Sequence, residues 1–286
     1  MANLKEIRGR ITSISSTMQI TSAMKMVSAA KLKKATDAIT MLRPYSEKLT
    51  ELIENVSSGA NLEEVATYTV AREVKKVLYV VITSNRGLAG AFNSSVIKFV
   101  NNDIAAGADR NIEILSIGKK GFDVLRKTRT ISGNESDIYD NMSFNAVSNI
   151  SEKIMMDYRE GAYDQVFVFY NKFVNAATQE VQKEQVLPIS LPEKTSGANT
   201  DYIFEPSSKE ILDNLIPKAI KTQIYKAVID SVASEHGARM TAMHKATDNA
   251  QDLKNDLVIF YNKARQAAIT GEILEIVGGA EALKDS

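Results

Sequence analysis

The stretch IRGRITSISSTM, residues 7–18, decides the fold of the first part of the chain. Its apolar residues stand in alternating steps of four and three, at Ile7, Ile11, Ile14 and Met18. A sustained repeat of about 3.5 residues is typical of helices that pair in a left-handed coiled coil. The same phase returns at Leu32, Ala35, Ile39, Leu42, Leu49, Ile53 and Val56. The pattern predicts one long helix from residue 4 to about residue 57, bent at Pro44.

The segment ITSAMKMVSAAKLKKA, residues 20–35, interrupts this regularity. The heptad phase falls on Thr21, Lys25 and Ser28, whereas the apolar residues stand at Ile20, Met24 and Val27. We expect a local break in the apolar seam, at which side chains point outward as well as toward the partner helix.

Positive charge is concentrated on the same helix. Residues 7–36 hold six basic residues and no acidic one. One interpretation is a basic face that meets only solvent. Nucleic acid is a poor alternative, because a paired helix without interleaved aromatic residues offers bases nothing to stack on. An acidic protein partner fits this face better.

A second long helical pattern occupies the other end of the chain. The segment EPSSKE, residues 205–210, has Ser207 three residues before Glu210, which is a capping pattern, and Pro217 is expected in the first turn of a longer helix that runs to about residue 283. Its predicted apolar line consists of Tyr225, Ile229, Val232, Met243, Ala246, Ala250, Leu253, Leu257, Phe260, Ala264, Ala267 and Leu274. Two helices of such length cannot both be buried in this chain, so we expect them to pair antiparallel.

The C-terminal helix is the longer of the two, so its end should project as a single helix. This end carries the apolar residues Ile269, Ile273, Leu274, Ile276 and Val277. An unpaired helix with such a surface implies that another protein surrounds it.

Between the two helices, apolar runs alternate with amphipathic ones. Residues 75–84, 112–118 and 164–173 are typical of buried strands, and residues 94–105, 119–127 and 147–161 are typical of helices. Strands that alternate with helices at this spacing indicate a parallel αβα sheet. Residues 178–190 and 201–206 are expected to add edge strands, with a mobile loop at 196–199. The predicted fold is therefore α/β, a long antiparallel coiled coil of residues 1–60 and 207–286 with a Rossmann-like αβα domain of residues 61–206.

Composition and motifs argue against catalytic, metal and nucleotide-binding sites. The chain has no cysteine, which excludes disulfides and thiolate sites. Its formal net charge is zero, so the whole chain has no net electrostatic attraction for nucleic acid or membrane. The turn SNRGLAGAFN, residues 84–93, lacks both common phosphate-binding spacings, so a tight strand-to-helix turn is favoured over a nucleotide site. His236 and His244 lack further ligands, so we expect no metal, no cofactor and no catalytic residue. No stretch is long and apolar enough to span a bilayer, and the first residues do not form a secretory signal.

Three segments resemble the gamma subunits of bacterial F-type rotary ATP synthases. Residues 20–35 are similar to the first-helix motif of that family, and residues 83–93 resemble its central turn. Residues 262–282, NKARQAAITGEILEIVGGAEA, resemble its C-terminal signature. Within that signature, the matching residues are Ile269, Thr270, Glu272, Glu275, Gly279, Ala280 and Ala282.

The resemblance implies a non-catalytic rotor subunit. In this family the terminal helices form a shaft inside a hexamer of alpha and beta subunits, and rotation of the shaft couples proton flow through the c-ring to ATP synthesis at beta. The αβα domain would form a foot on the epsilon subunit and the c-ring. The resemblance also implies a peripheral location on the cytoplasmic face of a bacterial inner membrane, with no nucleic-acid partner. The alternative is a nucleotide-binding αβα enzyme with a coiled-coil tether, and a structural tether that self-associates is a third hypothesis.

The resemblance also carries residue roles. It implies that beta subunits contact Met24, Lys31, Lys33, Lys34, Arg239, Arg265, Gln266 and Glu275. The segment DYIFEP resembles foot residues, which implies contacts of Tyr202 and Phe204 with epsilon and the c-ring. Gly271 departs from the family pattern, because a better helix former is expected within the signature.

Overall fold

The computed structural model describes residues 4–59, 66–69, 72–107, 111–189, 205 and 207–282. It divides into two compact units, one formed by Ser28–Arg239 and the other by Met1–Val27 together with Met240–Ser286. Both long helices contribute residues to each unit. The division into coiled-coil and αβα segments at residues 60 and 207 stays a prediction.

Helix α1 spans Leu4–Gly59 and continues through Pro44. Its buried apolar residues lie on the predicted heptad, at Ile7, Ala35, Ile39, Leu49, Ile53 and Val56. The sequence therefore predicted both the extent of this helix and the side that it buries.

The heptad phase persists through the segment that interrupts the apolar pattern. Thr21 and Ser28 are buried, with 9% and 3% of their surface exposed, whereas Ile20 is 61% exposed. Met26 and Val27 are exposed as well. The expected break is thus a break in residue type and not in helix phase, because polar side chains occupy the seam and apolar ones point outward.

Helix α6 spans Ser208–Ala282. The backbone amide of Glu210 donates to Ser207 Oγ at 3.3 Å, which confirms the predicted N-terminal cap. The prediction for Pro217 is wrong, since this residue lies inside the helix and not in its first turn. Burial of Leu212, Ile216 and Ile220 accounts for the earlier start. These three side chains stabilise the helix by about 1.5–3 kcal/mol each, against about 3 kcal/mol for an interior proline.

The seam of α6 in the unit that contains Met240–Ser286 differs in part from the predicted line. Met243, Ala246, Ala250, Leu257 and Ala264 are buried or half-buried as expected. The line also included Leu253, Phe260, Ala267 and Leu274, which are exposed, whereas Lys254 and Tyr261 are half-buried. Lysine and tyrosine can cover apolar surface with their aliphatic or aromatic part while the polar end reaches water, so they can occupy such a seam.

Contacts within the same unit set the direction of the two helices. Thr21 Oγ1 lies 2.8 Å from Thr247 Oγ1, and Lys25 Nζ lies 3.4 Å from His244 Nδ1. Residue numbers rise along α1 as they fall along α6. The helices are therefore antiparallel in this unit, as predicted.

The unit Ser28–Arg239 contains the sheet and the shorter elements. These are α2 (Ala66–Thr69), β1 (Lys76–Ile82), α3 (Phe92–Ala106), β2 (Asn111–Ile117), α4 (Lys119–Leu125), β3 (Ile131–Asn134), a 3-10 turn (Ser136–Tyr139), α5 (Phe144–Arg159), β4 (Gln165–Phe173) and β5 (Gln179–Leu187). The strand order is β3-β2-β1-β4-β5, in which only β5 is antiparallel to its neighbour. The parallel sheet and the added edge strand at 178–190 are confirmed, whereas β3 was not predicted.

Helices cover both faces of this sheet. On one face, Val77, Tyr79 and Val81 of β1 pack against Val96 and Val100 of α3. On the other face, the alternate β1 residues share one core with α5 and with parts of α1 and α6. This arrangement confirms the αβα layers. The predicted strand at 201–206 and the loop at 196–199 lie outside the described residues, apart from Glu205.

Candidate partner-binding surfaces

The lysine cluster of α1, defined as Lys31, Lys33 and Lys34, is exposed to solvent. Within the described ranges, none of the three takes part in an ion pair. Lys31 nevertheless acts electrostatically on the buried Glu235 and the half-buried His236 of α6. The cluster is therefore an exposed positive surface of the kind that attracts an acidic partner.

An outward stripe on α1 consists of Ile20, Met24 and Val27. Ile20 and Val27 are more than half exposed, and Met24 is half-buried. The spacing of four and three residues places them along one side of the helix. The stripe adds apolar surface beside the polar part of the seam, and the sequence indicated it when its apolar residues left the heptad phase.

The C-terminal end of α6 is the most exposed part of that helix. Since Thr21 faces Thr247 and the helices are antiparallel, Leu4 falls opposite residues near 264. Described residues beyond that point have no facing residue of α1 to cover them. Arg265, Gln266 and Glu275 are exposed accordingly. The apolar residues of the same end are also exposed: Ile269, Ile273, Leu274, Ile276 and Val277.

The turn between β1 and α3, residues 84–91, carries a residue that the sequence did not single out. Leu88 has a φ of 61°, in the left-handed region, and 65% of its surface is exposed. A leucine in this conformation is strained by about 1–2 kcal/mol, and such strain concentrates at functional sites. The sequence gives little indication of this conformation, because RGLAG resembles an ordinary glycine turn.

The polar groups of this turn bond to one another and to the rest of the same unit. Ser84 Oγ donates to the Arg86 carbonyl at 2.7 Å, and the Ser84 amide donates to Asn93 Oδ1 at 3.0 Å. Asn85 donates to the Ser136 carbonyl at 2.9 Å and accepts from the Lys119 amide at 2.9 Å. These contacts favour a structural turn over a phosphate cradle.

Arg239 differs from the other residues expected to contact beta, because it is buried and only 7% exposed. Its Nη1 donates to Glu235 Oε1 at 2.6 Å. Its Nη2 donates to the carbonyls of Arg86 at 2.9 Å and Gly87 at 3.2 Å. The guanidinium is thus occupied inside the unit, which favours an indirect part in any partner contact.

The surroundings of Arg239 shift the pKa values of its neighbours. Burial raises the pKa of Glu235, while the charge and hydrogen bond of Arg239 oppose that rise. Burial, Arg239 and Lys31 together lower the pKa of His236 to about 4. His236 is therefore neutral near pH 7.

Tyr202 and Phe204, the residues expected to contact epsilon and the c-ring, lie outside the described residues. In the part of the chain that the structure describes, no group of three histidine, cysteine or acidic residues is placed to hold a metal ion. None of the described helices has both the length and the apolar content needed to cross a membrane.

Comparisons with known proteins cover nearly the whole chain. The family model described as ATP synthase matches residues 3–283. A protein named ATP synthase gamma chain from Flavobacterium johnsoniae is 61% identical over 284 residues, which is 99% of both chains. The protein of the same name from Geobacter sp. is 41% identical over 289 residues, covering 99% of this chain and 100% of its own.

Solved structures give the same picture for the fold. A chain of the central stalk and c-ring structure of Tetrahymena thermophila mitochondrial ATP synthase is 26% identical, with a TM-score of 0.61, and the match covers 79% of this chain and 99% of that one. A chain of the Euglena gracilis mitochondrial ATP synthase, in rotational state 3, has a TM-score of 0.69 at 20% identity and covers 98% of this chain and 94% of that one.

Proposed function

This chain belongs to the ATP synthase gamma chain family, and from that premise we propose that it is the central rotor shaft of a rotary ATP synthase. The observation that carries the proposal is the high identity to gamma chains over almost the full length of both proteins. It acts by turning inside a ring of catalytic subunits and does not itself catalyse a reaction. Its asymmetry biases the conformations of those subunits through contacts that differ from one to the next.

The exposed surfaces support different kinds of contact with those subunits. The lysine cluster faces acidic loops of the beta subunits, since its three charges have no ion-pair partner within the described ranges. The outward stripe with Met24 provides an apolar contact beside those loops. Arg239 acts indirectly, through the turn that it holds.

The C-terminal end of α6 turns inside the upper part of the alpha–beta ring. Arg265, Gln266 and Glu275 supply polar contacts there, and the exposed apolar residues meet an apolar sleeve. An exposed apolar surface of this extent on one helix is otherwise costly in water, which favours a surrounding partner.

The αβα sheet region supplies the foot. It binds the epsilon subunit and the c-ring, with Tyr202 and Phe204 as candidate contacts. The subunit is held peripherally at the cytoplasmic face of a bacterial inner membrane through the complex, and it needs no cofactor of its own. These placements follow from membership of the family.

Reconstitution tests the proposal. The full chain is mixed with alpha and beta subunits of a flavobacterial relative, and the subunit composition and the ATPase rate of the product are measured. We expect one copy of this chain per three beta subunits and a changed ATPase rate. A chain that neither joins the ring nor alters its activity would refute the rotor function.

A matched pair of variants sharpens the test. Ile273→Asp puts a charge on the exposed C-terminal end and should weaken assembly with the hexamer. Val174→Asp makes the same kind of change at an apolar residue of similar exposure, 48% against 54% for Ile273, but in the foot. We expect this control to assemble with the hexamer normally.

A further inference from the structure

The segment Ser234–Arg239 of α6 is bonded to the turn 84–91 at several points. Ala89 and Phe92 form a small buried cluster with Ala238. Ser234 Oγ donates to the Asn171 carbonyl at 2.9 Å, and the Asn171 side-chain amide donates to the Phe92 carbonyl at 3.1 Å. The C-terminal end of the turn therefore packs directly on Ala238, and Asn171 of β4 links Ser234 to Phe92, the first residue of α3.

Arg239 makes the contacts nearest to the strained residue. It donates to the two carbonyls that directly precede Leu88, through Nη2 to Arg86 and through Nε and Nη2 to Gly87, at 2.9 to 3.3 Å. Glu235 holds the remaining edge of the guanidinium at 2.6 Å, one helical turn away. Both side chains are almost fully buried, with side-chain exposures of 8% and 7%.

This geometry needs the fork of an arginine. A guanidinium presents several donors in one plane, so it can reach a carboxylate on one edge and two carbonyls on another. A lysine places one ammonium at the end of a flexible stem and cannot reproduce that plane. The carboxylate of Glu235 also compensates the buried positive charge, which would otherwise be costly.

On the basis of the rotor function given above, we propose that Glu235 and Arg239 are a positioning pair. They fix the turn 84–91 on α6 with Leu88 in its left-handed conformation, so that the turn moves with the helix as one rigid element. The pair acts through the turn and does not itself touch a partner. Lys120 also approaches this turn, since its Cε would lie 3.8 Å from a Cβ on Gly87, and the charge of Arg86 acts on Glu235.

Trypsin provides a direct test, because the bond between Arg86 and Gly87 is a site for this protease within the held segment. Cleavage of a folded chain requires local opening, and its rate follows the population of the open form when reclosing is fast. We expect Arg239→Lys to raise cleavage at this bond by about ten- to a hundredfold, the factor that corresponds to one charge-assisted hydrogen bond. Cleavage at Lys33 and Lys34 in the same sample serves as the internal reference.

A control variant separates local release from general destabilisation. Ile220→Ala removes a fully buried side chain from the same helix, distant in sequence from the turn. It should lower the melting temperature at least as much as Arg239→Lys, but without selective cleavage after Arg86. Equal cleavage ratios in both variants, or a wild-type ratio in Arg239→Lys, would overturn the positioning role.

The assembled complex tests the second half of the inference. With Arg239→Lys in the shaft, we expect the number of protons pumped per ATP hydrolysed to fall. The reason is that a turn released from α6 would move relative to the helix when the shaft transmits torque. Unchanged pumping together with faster cleavage would show that the turn is held but carries no load, and would refute its role in rotation. If the wild-type chain itself fails to assemble, the rotor function fails, while the cleavage result stands on its own.

Discussion

Charge reversal of the lysine cluster should weaken assembly with the catalytic hexamer. Replacing Lys31, Lys33 and Lys34 by glutamate turns three attractions into repulsions. An exposed ion pair contributes about 0.2–1 kcal/mol, so the triple variant should lose about 3 kcal/mol of binding free energy at low salt. This loss corresponds to an affinity about a hundredfold lower.

The salt dependence identifies the cause. The screening length is about 10 Å at 0.1 M salt and about 3 Å at 1 M salt, so the difference between wild type and variant should shrink as salt is added. The measurement is a binding titration of the full chain with the alpha–beta hexamer across that range of salt. A defect of the same size at every salt concentration would refute an electrostatic contact.

A matched control accounts for net charge. Lys98, Lys127 and Lys209 are also exposed, and reversing them changes the net charge of the chain by the same amount. We expect this control to bind the hexamer within about threefold of wild type, because surface substitutions away from an interface have small effects. A control as weak as the test variant would mean that total charge, and not the lysine cluster, governs binding. Within the cluster, Lys31→Glu should also raise the pKa of Glu235 further, because Lys31 now lowers it.

Three further predictions concern coupling and stability. Met24→Lys should leave the melting temperature nearly unchanged but reduce proton pumping per ATP hydrolysed, because a new charge enters an apolar stripe at the proposed interface; normal hydrolysis and pumping would remove Met24 from that interface. Gly118→Ala should destabilise the chain by about 3 kcal/mol or more in urea unfolding, because Gly118 has a φ of 112° and an added Cβ would lie 2.0 Å from the Thr83 carbonyl oxygen; a change below about 1 kcal/mol would contradict that geometry. A double-mutant cycle of Thr21→Val and Thr247→Val should give a coupling free energy of about 0.5–1.5 kcal/mol, since both hydroxyls share one hydrogen bond; a coupling near zero would show that the bond contributes nothing to stability.

The sequence predicted the features that depend on periodicity. The heptad of α1 and the alternation of apolar and amphipathic segments are repeated many times along the chain, so single exceptions do not hide them. The same reasoning misplaced Pro217, because the cost of one proline was outweighed by apolar burial that becomes visible only in the folded unit. It also missed β3, whose few residues carry no apolar run.

The candidate site was harder to predict, because its key distinctions are matters of burial. Arg239 and Lys31 are both basic residues on long helices, yet one is enclosed and the other exposed. The sequence alone does not show which helix residues face the turn at 84–91. The left-handed backbone of Leu88 is likewise invisible in the sequence, because Gly87 and Gly90 alone would account for a turn there.

The hydroxyl pair between Thr21 and Thr247 has a consequence for torque. Two apolar helices can slide along each other by one heptad and still present apolar surface, so a purely apolar seam would slip under load. A slip by one heptad would bring the Thr21 hydroxyl opposite Met240 or Lys254 and break its bond with Thr247. A polar residue within such a seam is known to fix the alignment of paired helices. We expect that this pair fixes the axial alignment of the two helices while the shaft transmits torque.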